Sequence, residues 1–187
     1  RRVLFRSNVL ILAHGSSLQK YKSIVEKEIE EKDFFVIALN TQEVIENKFI
    51  NLRAACHPLR IVADLGKYKS LQQEIVMPVG RLSEDLKSYI EEVSCLDFGM
   101  SIKKDCFEFN RTSCVIPSKL AIAYSLGFIA SGNAKSVSIA GFDGYGNGNP
   151  RNNETDNIFK IFHKSQNDLR ITSLTPTEYN IDVDCIF

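Results

Sequence analysis

Small and polar residues follow the apolar runs of this chain, and their chemistry suits a nucleotide pocket. The set consists of Gly15, Ser16, Asn40, Thr112, Ser113, Gly141 and Asp143. Gly15 lets a ligand approach the backbone closely, and Ser16 or Ser17 can cap a following helix, whose N-terminus favours an anion such as a phosphate. The hydroxyl, amide and carboxylate groups of the other members can hydrogen-bond a ribose or a base edge. We therefore predict that these residues bind a nucleotide.

Each of these residues also has an ordinary structural interpretation, which the sequence leaves open. Ser16 can be a simple helix cap, Asn40 can end a strand, and Asp143 can be a turn residue. Residues 15–17 (GSS) are a weaker signal than the phosphate loops GxGxxG and GxxxxGKS/T, neither of which occurs in the chain. What favours a ligand site is that these polar residues follow several strands of one predicted sheet.

The elements that must position these residues are predicted by apolar runs that alternate with helical stretches from residue 8 onward. Strands are expected at residues 9–13, 34–39, 53–57, 74–77, 107–109, 136–141 and 170–174. Helices are expected at residues 18–32, 44–49, 61–71, 82–93, 117–129 and 154–164, and no element is predicted for residues 94–105. The pattern indicates an α/β fold, a three-layer Rossmann-like and mainly parallel sheet with helices on both faces. Ligands of such sheets bind beyond the carboxyl ends of the strands.

Composition restricts the class of partner. The 187 residues carry 23 basic and 23 acidic side chains, so no net charge attracts a phosphate backbone and a nucleic-acid partner is not expected. No apolar run is long enough to predict a membrane span. The five cysteines are an odd number without CxxC spacing, which favours a reducing, cytoplasmic setting over a disulfide framework.

Metal ligation is not predicted. The three histidines, His14, His57 and His163, stand far apart in the sequence, and no pair of carboxylates stands together at a strand end. We expect neither a metal nor another cofactor.

The first seven residues are set apart from the fold. They resemble a translated sequencing adapter of the kind found at the broken ends of metagenomic gene fragments, and such a scar is excluded from structural reasoning. The alternative is a native basic strand. We expect residues 1–7 to be non-structural and residues 8–187 to form a single nucleotide-binding domain, a C-terminal fragment of a longer protein. Without Arg1, Arg2 and Arg6 the chain is mildly acidic.

Short motifs in the order of the predicted strands resemble the bacterial sialyltransferases of glycosyltransferase family 42 and the related DUF115-type domains. The motifs are residues 15–18 (GSSL), Asn40, residues 111–113 (RTS), residues 120–127 (LAIAYSLG) and residues 139–145 (IAGFDGY). The resemblance spans about residues 8 to 174. It implies a Rossmann-like domain that binds a CMP-activated nonulosonic acid, its donor substrate, without a metal.

The resemblance also implies roles for individual residues. Gly15, Asn40, Thr112, Ser113, Gly141 and Asp143 would hold the cytidine and ribose, and Tyr145 would hydrogen-bond the departing phosphate. In that family a histidine between the Asp-x-Tyr strand end and the next helix is the general base. Residues 146–154 (GNGNPRNNE) contain no histidine, so Glu154 is our candidate for that base.

A second resemblance leads to a different class of function. Residues 55–58 (ACHP), 141–145 (GFDGY) and 174–177 (LTPT) are similar to a domain found C-terminal to HMG-CoA-lyase-like aldolases, which are often labelled 4-hydroxy-2-oxovalerate aldolase. It implies a possible upstream aldolase domain in the same chain and a non-catalytic nucleotide- or sugar-binding, regulatory module here. A pterin diphosphokinase of the DUF115 type is a third alternative.

Overall fold

The computed structural model describes residue 5 and residues 8–146, 148–166 and 168–184, and within them the predicted α/β fold is confirmed. Eight strands form an all-parallel sheet in the order β11-β10-β9-β1-β2-β3-β4-β5. They are β1 (Asn8–Leu12), β2 (Phe35–Leu39), β3 (Leu52–Ala54), β4 (Ile75–Met77), β5 (Cys95–Asp97), β9 (Ser136–Ala140), β10 (Ile171–Ser173) and β11 (Asp182–Val183). A small mixed sheet contains β6 (Gly99–Ile102), β7 (Glu108–Phe109) and β8 (Ser113–Ile116).

The described residues also form seven α-helices. They are α1 (Ser16–Lys20), α2 (Lys22–Lys32), α3 (Pro58–Ala63), α4 (Leu65–Ser70), α5 (Glu84–Ile90), α6 (Ala121–Ser131) and α7 (Pro150–Ser165). Two 3-10 turns, Asn47–Phe49 and Val79–Arg81, complete the set. No helix in the described part of the chain is long and apolar enough to cross a membrane.

Alternation along β1 explains why helices cover both faces of the sheet. Val9 and Ile11 belong to the apolar cluster that includes residues of α6 and α7, whereas Leu10 and Leu12 belong to the cluster that includes residues of α1 and α2. Successive side chains of a strand point to opposite faces, so a strand that is buried on both sides is apolar throughout. This is the reason the run at residues 9–13 predicts a central parallel strand.

The order of the strands reverses at β1. From β1 the chain builds outward through β2, β3, β4 and β5 on one side, and β9, β10 and β11 are added on the other side. β1 and β9 end together, because Leu12 pairs with Ala140. Ala13 then donates its N–H to the Ala140 carbonyl at 2.9 Å. A crevice between strands whose connections leave in opposite directions is where open α/β sheets bind ligands.

Several predicted elements are corrected by the structure. Residues 113–116 form strand β8, with Cys114 and Ile116 buried, and the predicted helix at 117–129 begins at Ala121. The predicted helix at 61–71 is two short helices that meet at Asp64, whose φ of −100° and ψ of 6° interrupt the first one. The predicted helix at 44–49 is reduced to a 3-10 turn, and β5 and β6 occupy the stretch without a predicted element.

Phe5 departs from the expectation that residues 1–7 take no part in the fold. Its N–H donates to the Gly132 carbonyl at 2.8 Å, and its ring is 1% exposed. The ring packs edge-on against Phe35 and Phe128, with centroids 4.9 and 5.4 Å away. Phe5 therefore belongs to the apolar core between β2 and α6, while the other six residues of the segment lie outside the described residues.

Candidate functional site

A cavity of about 430 Å³ opens at the carboxyl ends of β1, β2 and β9, where the strand order reverses. Its wall consists of Ala13, His14, Gly15, Leu39, Asn40, Leu120, Ala121, Ile122, Gly141, Phe142, Asp143, Gly144, Tyr145, Thr155 and Tyr179. Five of the residues predicted from the sequence as ligand contacts thus meet here, namely Gly15, Asn40, Gly141, Asp143 and Tyr145. The volume lies in the range of small-molecule sites.

Asp143 holds the first turn of α1. Its Oδ2 accepts the Ser17 N–H at 2.8 Å and the Ser16 hydroxyl at 3.0 Å, and its Oδ1 accepts the Ser17 hydroxyl. Neither serine caps the helix, because the N-cap residue is Gly15. A carboxylate of the protein therefore occupies the helix N-terminus at which the sequence predicts a ligand phosphate.

Gly15 and Gly141 are required by the fold at this point. A Cβ added to Gly15 would lie 2.6 Å from Asp143 Cγ, closer than real side chains approach. Gly141 has φ of +75°, a left-handed conformation that side chains strain, and its N–H donates to the Thr175 hydroxyl at 3.0 Å. From the sequence, Gly15 was expected to let a ligand come close to the backbone. In the structure, the segment that comes close to Gly15 is the end of β9.

Asn40 lines the cavity from the end of β2 in a left-handed conformation, with φ of 52°. Its N–H donates to the Ala54 carbonyl at 2.8 Å. The structure gives its side-chain amide no hydrogen bond to the described residues, so both amide atoms are free to bind a ligand.

Arg53 fixes the loop that carries Asn40. This fully buried guanidinium donates from Nη1 to the carbonyls of Gln42 at 2.7 Å and Asn40 at 3.3 Å. It also donates to Asn47 Oδ1 at 2.7 Å and to Gln73 Oε1 at 3.1 Å. All four acceptors are neutral, so the side chain brings a positive charge beneath this edge of the sheet.

The N-terminus of α6 faces the cavity through Ala121 and Ile122. The first N–H groups of a helix have no acceptor within it, and no side chain caps α6 at Leu120. These amides and the positive end of the helix dipole favour an anion. At α1 the same groups are already occupied by Asp143, so α6 is the better position for a ligand phosphate.

Tyr145 stands at the rim and is 53% exposed. Its N–H donates to Asn152 Oδ1 at 2.9 Å, and the next N–H, that of Gly146, donates to Glu178 Oε2 at 3.1 Å. Asn152 Nδ2 donates to the same Glu178 oxygen at 3.1 Å. The loop after Phe142 is thus tied to the start of α7, and the phenol hydroxyl is left for a ligand.

Glu154, the sequence-based candidate for the general base, is exposed and does not line the cavity. Consecutive residues of a helix point about 100° apart. Thr155 is the residue of this turn that enters the wall, where it is 4% exposed and hydrogen-bonded to Tyr179. Nothing in the sequence distinguishes Thr155 as a wall residue.

Thr112 and Ser113 are not brought to the cavity. Both donate to Asn110 Oδ1, and the Asn110 carbonyl accepts the hydroxyl of Ser131 at the C-terminal end of α6. The cavity lies at the other end of this 11-residue helix, about 15 Å away at 1.5 Å per residue. Thr112 precedes β8 of the small sheet and Ser113 begins it, whereas the sequence placed both at a strand end of the main sheet.

His14 lines the cavity, although the sequence reasoning gave it no role. Loss of solvent around its ring in the cavity wall and the charge of Arg60 lower the pKa of His14, against Asp64, which raises it. Arg53 and Lys67 act in the same direction as Arg60. The lowered pKa favours the neutral imidazole, which is able to accept a proton. Its position directly after β1 was the signal that could have identified it.

A larger depression of about 740 Å³ runs along the outer side of α7, between Asn153 and Lys164. It is a shallow groove that one helix and Asn180 line, and no strand end reaches it. Among the described residues, no three His, Cys, Asp or Glu side chains converge as a metal site would require.

The chain was compared with protein-family models, with curated proteins and with solved structures. None of the three comparisons gives a significant match.

Proposed function

We propose that this domain binds a ribonucleotide in the cavity at the carboxyl edge of the sheet. The observation that carries the proposal is the position of the cavity at the reversal of strand order, between the free amide of Asn40, the Tyr145 hydroxyl and the uncapped N-terminus of α6. A base fits the apolar part of the wall, including Leu39 and Phe142. Ribose hydroxyls suit the Asn40 amide, and a phosphate suits the α6 amides.

Cytidine monophosphate, as part of a CMP-activated nonulosonic acid, is the ligand that we propose first. Support for this choice comes from the motifs that resemble family 42 sialyltransferases, residues 15–18 (GSSL) and 139–145 (IAGFDGY). The first motif begins at the cavity with Gly15, and the second ends there with Tyr145. The resemblance also assigns Thr112 and Ser113 to the cytidine and ribose. These two residues lie at the far end of α6 and do not belong to the proposed site.

Transfer of the sugar would be a direct displacement. The acceptor hydroxyl oxygen forms a bond to the anomeric carbon while the bond from that carbon to the phosphate oxygen breaks, and CMP leaves with the electron pair. The Tyr145 hydroxyl and the α6 amides would stabilise the departing phosphate. The acceptor proton needs a base, and His14 is better placed for this role than Glu154, since His14 lines the cavity and its lowered pKa favours the neutral ring.

A non-catalytic binding module is the second candidate. It is favoured because neither nearby carboxylate is available as a catalytic base. Asp143 accepts hydrogen bonds from Ser16 and Ser17, and Glu154 lies outside the cavity. Such a module, fused to an aldolase, would bind the nucleotide and leave the donor intact. Release of CMP from a CMP-activated nonulosonic acid separates the two candidates.

Calorimetric titration with CMP, CDP, UDP and ATP, each with and without magnesium, tests the proposal. We expect the tightest binding for the cytidine nucleotides. Tyr145→Phe and Asn40→Gly should weaken CMP binding and leave the melting temperature nearly unchanged, because glycine accepts the left-handed conformation of Asn40. Equal affinity for all four nucleotides would remove the cytidine assignment, and no binding of any of them would remove the nucleotide assignment.

A further inference from the structure

We propose that Arg151 is the charged group that binds the phosphate of the nucleotide, at the rim of the cavity and together with the Tyr145 hydroxyl and the α6 amides. This inference rests on the proposed nucleotide binding and adds the residue that distinguishes a nucleotide from its nucleoside. Sequence reasoning left Arg151 without a role.

The position of Arg151 follows from its contacts on both sides. Its guanidinium carbon lies over the Tyr145 ring, 5.5 Å from the centroid, and Tyr145 lines the cavity. On α7, Arg151 stands four residues before Thr155, and residues at this spacing are neighbours on one helix face. Since Thr155 lines the cavity as well, Arg151 lies above the wall at its rim.

The charge of Arg151 is free to meet a ligand. Arg60 forms an ion pair with Asp64, and Arg170 forms one with Asp182. Arg53 is buried and donates to neutral acceptors. No carboxylate of the described residues lies within ion-pair distance of Arg151, and its side chain is exposed. A planar guanidinium that is stacked on an aromatic ring keeps its N–H groups at the edge, where they match two oxygens of a phosphate.

The anion that enters this cavity meets a negative wall, because Asp143 is part of it. The Arg53 charge is buried beneath this edge, so a cation that can touch the phosphate directly offsets the repulsion further. The α6 amides supply partial charges, and Arg151 supplies a whole one at the rim.

The local backbone holds the pair in place before any ligand arrives. Asn149 Oδ1 accepts the Arg151 N–H at 3.0 Å and caps α7, and Asn152 Oδ1 accepts the Tyr145 N–H at 2.9 Å. Asn149 and Asn152 thus fix the backbone of Arg151 and of Tyr145. Less backbone freedom remains to be lost on binding, which favours the phosphate contact.

Calorimetry of four proteins with CMP and with cytidine tests the assignment. The proteins are the unchanged chain, Arg151→Ala, Arg151→Lys and the control Arg111→Ala, whose exposed arginine lies at the far end of α6. We expect the unchanged chain and the control to bind CMP at least about tenfold more tightly than cytidine. Arg151→Ala should abolish most of that ratio without weakening cytidine, and Arg151→Lys should retain part of it. Melting temperatures of all four proteins should agree.

Three results would overturn the assignment. An unchanged ratio in Arg151→Ala places the phosphate elsewhere. Equal weakening of CMP and cytidine means that Arg151 only holds the Tyr145 loop. Weakened binding of free N-acetylneuraminate, with the CMP to cytidine ratio kept, assigns Arg151 to the sugar carboxylate. If the unchanged chain binds neither CMP nor cytidine, the proposed function itself fails, which is distinct from these three outcomes.

Discussion

The carboxylate of Asp143 accepts the backbone N–H and the side-chain hydroxyl of Ser17. This contact joins the end of β9 to the first turn of α1 and closes one side of the cavity. The sequence predicts that Asp143 and the Gly15–Ser17 turn bind the nucleotide. In the structure they bind each other, and the nucleotide that we propose would contact Asn40, Tyr145, Arg151 and the N-terminus of α6 instead.

Asp143→Asn should lower the free energy of unfolding by about 1–2 kcal/mol, the usual cost of a lost helix cap. An amide can accept at one atom, and its NH2 group would face the N–H or hydroxyl donors of Ser16 and Ser17. Urea unfolding measures the change. Asp168→Asn, at an exposed turn, is the control and should stay within about 0.5 kcal/mol. An Asp143→Asn protein as stable as this control would show that the contact is not a cap.

Gly15→Ala should destabilise the protein, whereas Gly66→Ala should not. The new methyl group at residue 15 would meet Asp143 Cγ at 2.6 Å, and nothing lies within 4 Å of a methyl group at residue 66. Because Gly66 lies in helix α4, alanine there should stabilise by about 0.4–1 kcal/mol. Thermal unfolding compares the two variants. Similar melting temperatures would contradict the close approach of β1 and β9 at Gly15.

Arg53→Met should cost about 3 kcal/mol of unfolding free energy or more. The variant leaves the carbonyls of Asn40 and Gln42 without their donors in a buried place. Arg170→Met is the matched control, since the Arg170–Asp182 pair is exposed and should contribute at most about 1 kcal/mol. Equal losses in urea unfolding would mean that burial gives Arg53 no special role in holding the loop of Asn40.

His14 should make the protein less stable as the pH falls. The pKa of His14 is lowered in the folded state, first by loss of solvent and then by Arg60, Arg53 and Lys67 against Asp64. Between that lowered pKa and the unfolded value of about 6.5, the unfolded chain binds the proton more strongly, so stability declines with decreasing pH. His14→Gln should reduce the slope of unfolding free energy between pH 7.5 and 5.5. Parallel slopes for the two proteins would contradict the environment described for His14.

The parallel sheet was predictable because its central strands are buried on both faces. Residues 9–13 (VLILA) are an unbroken apolar run, residues 136–141 (SVSIAG) are small or apolar throughout, and residues 122–130 of α6 are buried on all sides. Such runs leave few alternatives to a sheet covered by helices. The polar residues after β1, β2 and β9 then indicate the edge of the sheet at which the cavity lies.

Of the small sheet, only β7 was predicted, as the strand at residues 107–109, whereas β6 and β8 were not. Strand β6 has four residues, of which Ser101 and Ile102 are exposed, and it pairs with β8 across a loop. Four residues are too few for an alternation of apolar and polar residues to identify a strand. The pairing of β6 with β8 is also not visible in the sequence of either segment. Without β8, the turn at Thr112 and Ser113 looks like the end of a main-sheet strand, and this is why both were assigned to the nucleotide.

Other site residues depend on the fold for their role. Thr155 and Glu154 differ by 100° on one helix, and no sequence feature tells which of them faces the cavity. Arg53 stands in the short run RAAC, where its burial follows from the acceptors that the loops around it provide. The sequence predicts residue types at a sheet edge, whereas side-chain direction requires the structure.

Two-dimensional NMR of the ¹⁵N-labelled chain titrated with CMP tests the central claim most directly, namely that the cavity at the reversal of strand order is the ligand site. We predict shifts of the amide signals of Gly15, Asn40, Ala121, Ile122 and Tyr145, which surround the cavity. The amides of Thr112 and Ser113, at the other end of α6, should stay in place. Shifts confined to Thr112 and Ser113, or no shifts at saturating CMP, would contradict the account.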